Sequence, residues 1–361
     1  MARLGDICAK GSSAVAQKDL ENNDGIYPIY GASGFIKNVD FYHQGKPYVA
    51  VVKDGAGVGR VMKLPANSSV IGTMQYIIPN EGVNVSYLAY ALEYMNLSKY
   101  YLGAAIPHIY FKDYCNEVLQ DHTAAEQEAI AATLDTVAEM IFLRKQQLTK
   151  LDELVKARFV ELFGDPISNP HGFDNVALAE LADIKIGPFG SLLHKEDYIE
   201  GGHALVNPSH IISGKVVPDN KLTVSPEKYE ELSAYHLKAG DVVMGRRGEM
   251  GRCAVVPRDG YLCGTGSLMI RTKGKVTADY IQKIISFPSF KKTIEDMAIG
   301  QTMPNLNVPI VSNFQIIKPP IEVQQSYYAF VEQTDKSKLT IQQSLDKLEV
   351  LKKSLMQKYF G

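Results

Sequence analysis

The chain has 361 residues, of which 45% are hydrophobic and 22% charged, as in an ordinary globular protein of two or three domains. Its 38 Lys and Arg against 40 Asp and Glu give a formal net charge of −2, which argues against a protein that holds DNA alone but not against one subunit of a DNA-binding complex. No apolar run approaches the ~20 residues that span a bilayer, and the N-terminus lacks the apolar core of a secretory signal, so we expect a cytoplasmic protein with no membrane partner.

The first predicted domain covers residues 1–122. Short β-branched and aromatic runs bounded by Gly and Pro, the pattern of strands, occur at 47–52 (PYVAVV) and 69–79 (SVIGTMQYIIP). A helical pattern follows at 86–95 (SYLAYALEYM). We therefore expect a mixed α+β domain.

A glycine-rich stretch, DGAGVGRV (54–61), follows the first of these strands. It is not a dinucleotide fingerprint, because Arg60 stands where the third glycine is required and the residues after it have a strand pattern. A hairpin with a flexible glycine tip, flanked by Lys53 and Arg60, is predicted instead.

A long helix is predicted over residues 123–164. It begins with a capping-box pattern at Thr123 and Glu126 and ends at Gly164, before Pro166. Its apolar residues recur in steps of three, four or seven, which predicts a heptad seam of Ile130, Leu134, Val137, Ile141, Leu148, Leu151, Val155 and Leu162.

The second predicted domain covers residues 165–320, and it has the same mixture of strand and helix patterns. Strands are predicted at 240–245 (GDVVMG), 253–257 (CAVVP) and 267–272 (SLMIRT), and a helix at 279–287 (DYIQKIISF).

A second long helix is predicted over residues 321–361. Each of the two helices would be about 60 Å long at 1.5 Å per residue. A helix of that length cannot bury its whole apolar stripe on one small domain, so a coiled coil of the two helices with each other is favoured over two helices that pack separately. The seam of the second helix consists of Ile341, Leu345, Leu348, Leu355 and Tyr359.

The second half of the chain repeats the first. Offsets that grow along the chain predict two diverged copies of one unit, a domain followed by a helix, with extra loops in the second copy. The segments KLDELVKARFVELFG (150–164) and KLEVLKKSLMQKYFG (347–361), 197 residues apart, share six of fifteen residues. Weaker matches join LGDI (4–7) to LADI (181–184), Gly59–Arg60 to Gly251–Arg252, and PHI (107–109) to PNL (304–306), at offsets of 177, 192 and 197.

Basic residues surround the glycine loop in both copies. Arg pairs bidentately with phosphate or with guanine O6 and N7, so these loops are predicted to contact DNA, and a solvated basic turn is the alternative. The segments 105–112 (AIPHIYFK) and 300–307 (GQTMPNLN) are a second pair of candidates. The predicted DNA-binding residues are Lys53, Arg60, His108, Lys112, Lys195, Arg246, Arg247, Arg252, Gln301, Thr302 and Asn305.

No catalytic and no metal site is predicted. The sequence has no P-loop, HExxH motif, NPPY-type methyltransferase motif or nucleophile elbow. Its four cysteines form no CxxC pair, so neither a zinc site nor a disulfide framework is indicated.

Along its full length the chain resembles the specificity subunit of type I restriction–modification systems. The stretches that carry the resemblance are YPIYGASGFIKNVDFY (27–42), DGAGVGRV (54–61), ELFGDPISNPHGF (161–173), GPFGSLLHKEDY (187–198) and LKAGDVVMGRRGEMGRCAVV (237–256). The first domain departs from the usual layout, because it is shorter and lacks a counterpart of GPFGSLLHKEDY.

The resemblance implies two target-recognition domains, each of which reads one half of a split sequence in double-stranded DNA. It implies that two antiparallel helices hold these domains apart and dock two methyltransferase subunits, and that motor and restriction subunits join them. The subunit itself would be non-catalytic and without cofactor, since S-adenosylmethionine, ATP and Mg would belong to the partners. Two other functions stay open on the residues alone: a nuclease or methyltransferase with a built-in specificity module, and a coiled-coil adaptor that binds no DNA.

Overall fold

The computed structural model describes residues 2–101, 107–249, 251–297 and 305–361, apart from the side chain of Ser191. The chain forms two compact units, the first made of Met1–Thr149 with Leu339–Gly361 and the second of Lys150–Lys338. Each unit contains one globular part and a portion of each of two long helices. No helix of the described residues is long and apolar enough to cross a membrane.

The first globular part is a mixed α+β structure, as predicted. A four-stranded antiparallel sheet has the order β2-β8-β5-β6, a second sheet the order β4-β3-β7, and β1 pairs with β9. The elements are β1 (Ala2–Arg3), α1 (Leu4–Ile7), β2 (Cys8–Ser12), β3 (Tyr27–Gly31), β4 (Gly34–Val39), β5 (Tyr48–Val52), β6 (Val61–Leu64), β7 (Ser69–Val70), β8 (Met74–Pro79), α2 (Val85–Tyr94), α3 (Phe111–Tyr114) and β9 (Val118–Leu119), with 3-10 turns at Gln17–Leu20 and Leu97–Tyr100.

The run at 69–79, predicted as one strand, is broken into β7 and β8. Gly72 turns the chain between them, and its amide donates a hydrogen bond to the carbonyl of Val15 at 2.8 Å. Thr73 accepts hydrogen bonds from the amides of Lys53 and Asp54, so this turn supports the start of the glycine loop.

The second globular part, between the long helices α4 (Ala124–Phe163) and α10 (Ile321–Phe360), has a matching four-stranded antiparallel sheet of order β11-β21-β18-β19. A second sheet has the order β12-β16-β13-β20-β17, and β10 pairs with β22 and β14 with β15. The elements are β10 (Asp174–Ala177), α5 (Leu178–Leu181), β11 (Ala182–Ile186), β12 (Tyr198–Ile199), β13 (His203–Val206), β14 (Ile211–Ile212), β15 (Lys215–Val216), β16 (Thr223–Val224), α6 (Pro226–Glu231), β17 (His236–Leu237), β18 (Val242–Gly245), β19 (Cys253–Val255), β20 (Tyr261–Cys263), β21 (Ser267–Thr272), α7 (Ala278–Ile285), α8 (Pro288–Met297), α9 (Val308–Ser312) and β22 (Gln315–Lys318), with 3-10 turns at Gly190–Leu192, Lys195–Asp197, Pro208–His210 and Ser233–Tyr235.

The two four-stranded sheets confirm the predicted repeat and correct its register at one place. Cys8 pairs with Pro79 in the first sheet, and Ala182 pairs with Thr272 in the second. The counterpart of the LGDI helix is therefore α5, at an offset of 174, because residues 182–184 of the LADI match belong to a strand. The offset of 177 rested on identical residues in LGDI and LADI, and the strand pairing shows that these residues are not structurally equivalent.

The long helices pair antiparallel within each unit, as predicted. In the first unit, Lys145 Nζ lies 2.9 Å from Glu349 Oε1, while Ile130 and Leu134 share a buried core with Met356. Residue numbers thus fall along α10 as they rise along α4. In the second unit, Lys338 Nζ lies 2.6 Å from Asp152 Oδ1, and Tyr327 of α10 belongs to the core that buries Val155.

Candidate DNA interface

The predicted glycine-tipped hairpin is present in both copies at the same place on the sheet. In the first copy it joins β5 to β6, and the amide of Val52 donates to the carbonyl of Arg60 at 2.9 Å. In the second it joins β18 to β19, and the amide of Gly245 donates to the carbonyl of Arg252 at 2.8 Å. The loops 53–60 and 246–252, called here the first and second hairpin loops, therefore start and end on equivalent hydrogen bonds.

Each hairpin loop is bridged to the second predicted segment of its own copy. Isolated β-bridges join Asp54 to His108 and Arg247 to Asn305. Ile109 and Leu306, which are 1% and 0% exposed, anchor the two bridging segments in the core. Their amides donate to the carbonyls of Lys53 at 3.0 Å and Arg246 at 2.9 Å, respectively.

The structure thus brings together the candidate residues Lys53 and His108 in the first copy, and Arg246, Arg247 and Asn305 in the second. The predicted residues Gln301 and Thr302 lie outside the described residues.

The second hairpin loop concentrates positive charge. Arg246 is half-buried and its Nε donates to Asn305 Oδ1 at 3.0 Å, whereas Arg247 is exposed. Burial and the nearby charge of Arg247 lower the pKa of Arg246, yet a guanidinium stays protonated at neutral pH. The two adjacent guanidinium groups, of which that of Arg246 is fixed by the side-chain oxygen of Asn305, form a site for an anion or for the acceptor atoms of a base.

Arg252 has another role within the same loop. Its Nε and Nη2 donate to Glu249 Oε2 at 3.0 and 2.5 Å, and its Nη1 donates to the carbonyl of Pro208 at 3.2 Å. Glu249 also pairs with Lys291 at 3.2 Å. The guanidinium nitrogens of Arg252 are therefore engaged within the protein, where they hold the loop in its conformation. Arg252 is a positioning residue.

The glycines shared by both loops approach their own domain closely. Gly59 has φ +83°, and a Cβ there would lie 2.5 Å from the amide nitrogen of Ser98. Gly251 has φ +72°, and its Cβ would lie 3.0 Å from Lys291 Cγ and 3.1 Å from the carbonyl oxygen of Ile285. Left-handed backbone and this crowding together require glycine, so these positions hold the loop against the domain.

The first hairpin loop carries a carboxylate, Asp54, between the basic residues predicted to flank it. Asp54 hydrogen-bonds through Oδ1 with His108 Nδ1, and its other carboxylate oxygen lies 3.9 Å from Lys53 Nζ. Arg60 is exposed, and its Nη1 donates to the carbonyl of Ala32 at 2.7 Å. Sequence reasoning omitted Asp54, although its place directly before the loop glycines could have revealed it.

An aromatic and basic surface continues from His108. The ring of Tyr110, which is 48% exposed, lies 4.1 Å from that of His108, and Lys112 Nζ lies 5.2 Å from the Tyr110 ring centre. The predicted residues His108 and Lys112 therefore share one surface with an aromatic ring that the sequence analysis did not include.

The predicted residue Lys195 is exposed and begins the turn Lys195–Asp197. Within the described part of the chain, no hydrogen bond joins it to the second hairpin loop. The segment before Lys195 starts at Gly187, beside the second hairpin loop. The amide of Gly187 donates to the carbonyl of Ser267, and the amide of Arg246 donates to the carbonyl of Gly266, both at 3.0 Å. Phe189 in this segment is 64% exposed and was missed by the sequence analysis.

A capped 3-10 turn follows β2 in the first copy and β11 in the second. The amide of His194 donates to Asp197 Oδ2 at 2.6 Å, and in the first copy the amide of Ala16 donates to Asp19 Oδ2 at 2.9 Å. The two copies thus share an Asp-capped turn, which the first copy reaches in fewer residues after its strand than the second copy does, and the stretch with Phe189 lies in the longer connection.

Comparison with known proteins gives one consistent family. The model of the type I restriction modification DNA specificity domain matches residues 1–153 and 170–352. The specificity subunit of the type I restriction enzyme MjaVIII from Methanocaldococcus jannaschii is 22% identical over 99% of this chain and 90% of its own length. The MjaIX specificity subunit of the same organism is 22% identical over 78% of this chain and 69% of its own length.

Solved structures agree on the fold. The S subunit of a type I restriction–modification system from M. genitalium has a TM-score of 0.63 at 16% identity, covering 100% of this chain and 95% of that one. With both globular parts and both long helices accounted for by these matches, the chain belongs to the family of type I restriction–modification DNA specificity subunits, and it carries two DNA-recognition domains.

Proposed function

We propose that the chain reads a split sequence in double-stranded DNA, one half with each globular part, and has no catalytic activity of its own. The observation that carries this proposal is the repeated bridge between a hairpin loop and a second segment, at the same edge of two equivalent sheets. Two such surfaces in one chain can contact two separate stretches of DNA. Polar side chains at the bridges, among them Asp54, His108, Arg247 and Asn305, suit contact with base edges and phosphates.

The charge of the chain fits a subunit that depends on partners for affinity. Its net charge of −2 provides little general attraction to the phosphate backbone. We infer that the partner subunits contribute most phosphate contacts, while this chain contributes sequence preference.

Exposed apolar residues at repeated positions support two copies of one partner. Phe142 and Leu339, 197 residues apart on the two long helices, are 58% and 61% exposed. Leu154 and Leu351, at the same offset, are 48% and 45% exposed. Large apolar side chains exposed twice at equivalent positions indicate two equivalent docking surfaces, which we propose bind two methyltransferase subunits, with motor and restriction subunits joining the assembly.

Mapping of methylated adenines across the genome, with and without the gene, tests the proposal. Loss of methylation at one bipartite motif, and restoration of that motif when the gene is returned, is the expected result. An unchanged methylation map in cells that express the methyltransferase partner would contradict it. Methyl transfer or cleavage by the purified chain alone would contradict the non-catalytic role.

A further inference from the structure

The two bridges share a backbone arrangement and carry opposite charge. Asp54 pairs with His108 and Arg247 pairs with Asn305, and the segments that follow are tied to the loops by equivalent hydrogen bonds, from Ile109 to Lys53 and from Leu306 to Arg246. The hairpin loops and bridging segments are thus joined by the same pattern of backbone contacts in both copies. What differs is the chemistry of the side chain that leaves the bridge, a carboxylate in the first copy and a guanidinium in the second.

Asp54 keeps hydrogen-bond acceptor capacity at the surface. Its Oδ1 is engaged by His108, but the other oxygen lies 3.9 Å from Lys53 Nζ, beyond a hydrogen bond. The side chain is 29% exposed, so that oxygen is held in place by its neighbours and can be approached by a ligand. A carboxylate repels phosphate, and in the major groove it accepts a hydrogen bond from an exocyclic amine, as on cytosine N4.

The second bridge has the complementary chemistry. Arg246 uses its Nε on Asn305, which fixes the guanidinium plane, and Arg247 beside it is exposed. Guanidinium groups donate bidentately to guanine O6 and N7, the commonest specific contact to a base. Arg246, which is held in this way, loses little conformational freedom on binding, and it keeps positive charge beside the exposed Arg247.

We propose that the bridge residue is the base-reading position of each domain, with Asp54 accepting a hydrogen bond from the exocyclic amine of a cytosine or adenine in the first half-site, and Arg247, next to the fixed Arg246, donating to a guanine in the second. The inference rests on the proposed function, since it assigns which atoms of the DNA the two domains contact. Each bridge governs one base pair of its own half-site.

Selection from random duplexes by the assembled complex of this chain with its methyltransferase subunits tests the assignment. Asp54→Asn, nearly isosteric and still able to accept from His108, should weaken preference at one position of the first half-site by roughly 5- to 150-fold and leave the second half-site unchanged. Arg247→Gln should do the converse, at a guanine. Asp24→Asn, at a carboxylate 89% exposed in the same globular part as Asp54, is the matched control and should change neither half.

Modified bases identify the contacted group. A duplex with purine in place of the selected adenine, or pyrimidin-2-one in place of the selected cytosine, lacks only the exocyclic amine. Wild-type complex should lose affinity for that duplex by about the factor lost by Asp54→Asn, and the variant should lose little more. Which analogue acts distinguishes adenine from cytosine.

The outcomes separate the inference from the function beneath it. A wild-type complex that selects no motif would overturn the proposed function. A wild-type complex that selects a bipartite motif, with Asp54→Asn and Arg247→Gln selecting the same motif at the same strength, would overturn this assignment alone. Thermal melting of each variant at the wild-type temperature confirms that the comparison is between folded proteins.

Discussion

The ring of Phe163, at the end of α4, lies 5.2 Å from the ring of Tyr280 on α7. The relationship repeats in the first unit, where Phe360 at the end of α10 lies 5.3 Å from Tyr87 on α2. Both tyrosines sit three residues after a helix cap, and Asn84 and Thr277 accept hydrogen bonds from their amides at 3.0 and 3.1 Å. The C-terminal end of each long helix therefore packs against the globular part of one unit through a phenylalanine ring.

Truncation of Phe163 is expected to destabilise the second unit strongly. The side chain is fully buried in the core of that unit, so Phe163→Ala should lower the free energy of unfolding by about 3–5 kcal/mol. Phe142→Ala, at a site 58% exposed on the same helix, is the matched control and should cost about 0.5 kcal/mol or less. Denaturant unfolding measures both, and equal losses would mean that Phe163 is not an anchor.

Charge at the second hairpin loop should govern salt dependence as well as sequence preference. Arg247→Glu should weaken DNA binding by the assembled complex and reduce the slope of log affinity against log salt by about 1 or more, because a positive charge beside the phosphates is replaced by a negative one. Lys275→Glu is the control. Lys275 follows the end of β21 at Thr272, whereas the second hairpin loop lies beside the start of β21 at Ser267. Titration over a range of salt concentrations should show a change for Arg247→Glu and none for Lys275→Glu.

Thiol labelling should distinguish one cysteine from the other three. All four are free, and burial raises the pKa of Cys8, Cys253 and Cys263 to about 12, whereas Cys115 is only partly buried. At pH 8 the native chain should react rapidly at Cys115 alone, and a second fast thiol would show that one of the other sites opens. The stabilisation from the three protonated thiols is complete below the ordinary thiol pKa of ~8.5 and is lost as pH rises towards about 12.

Local patterns predicted much of this structure because local chemistry determines it. The capping box at Thr123 is present, with its amide donating to Glu126 Oε2 at 2.8 Å and the Glu126 amide to Thr123 Oγ1 at 3.3 Å. Heptad spacing likewise predicted two helices that the structure gives as Ala124–Phe163 and Ile321–Phe360. These features depend on residues a few positions apart.

The features that the sequence did not reveal depend on contacts between distant residues. Asp54 is placed by a bridge to His108, 54 positions away, so its equivalence to Arg247 emerges only from strand pairing. Arg252 was grouped with the DNA-binding residues because of its Gly-Arg pair, but in the folded chain its Nη1 donates to the carbonyl of Pro208, 44 positions away. Side-chain partners of this kind are fixed by the tertiary fold and leave no periodic pattern.

The last prediction concerns the length of the paired helices. Each helix runs from one unit into the other, and ion pairs fix its register on both sides of the unit boundary, Lys145 with Glu349 in the first unit and Lys338 with Asp152 in the second. Lengthening only α4 would leave these two registers incompatible. Four residues inserted into both helices, between Thr149 and Lys150 and between Lys338 and Leu339, should preserve both.

Such a matched insertion adds about 6 Å of helix and slightly more than one turn, so the apolar seam stays nearly aligned. Because DNA rises about 3.4 Å per base pair, the gap between the half-sites should lengthen by about one base pair, or two at most, while both half-sites keep their sequence. A matched insertion of two residues turns the seam by about 200° and should abolish methylation. Mapping of methylated motifs in cells with the wild type and with each of the two insertion variants tests the prediction. An unchanged gap in an active four-residue variant would show that the helices dock partners without setting the spacing on DNA.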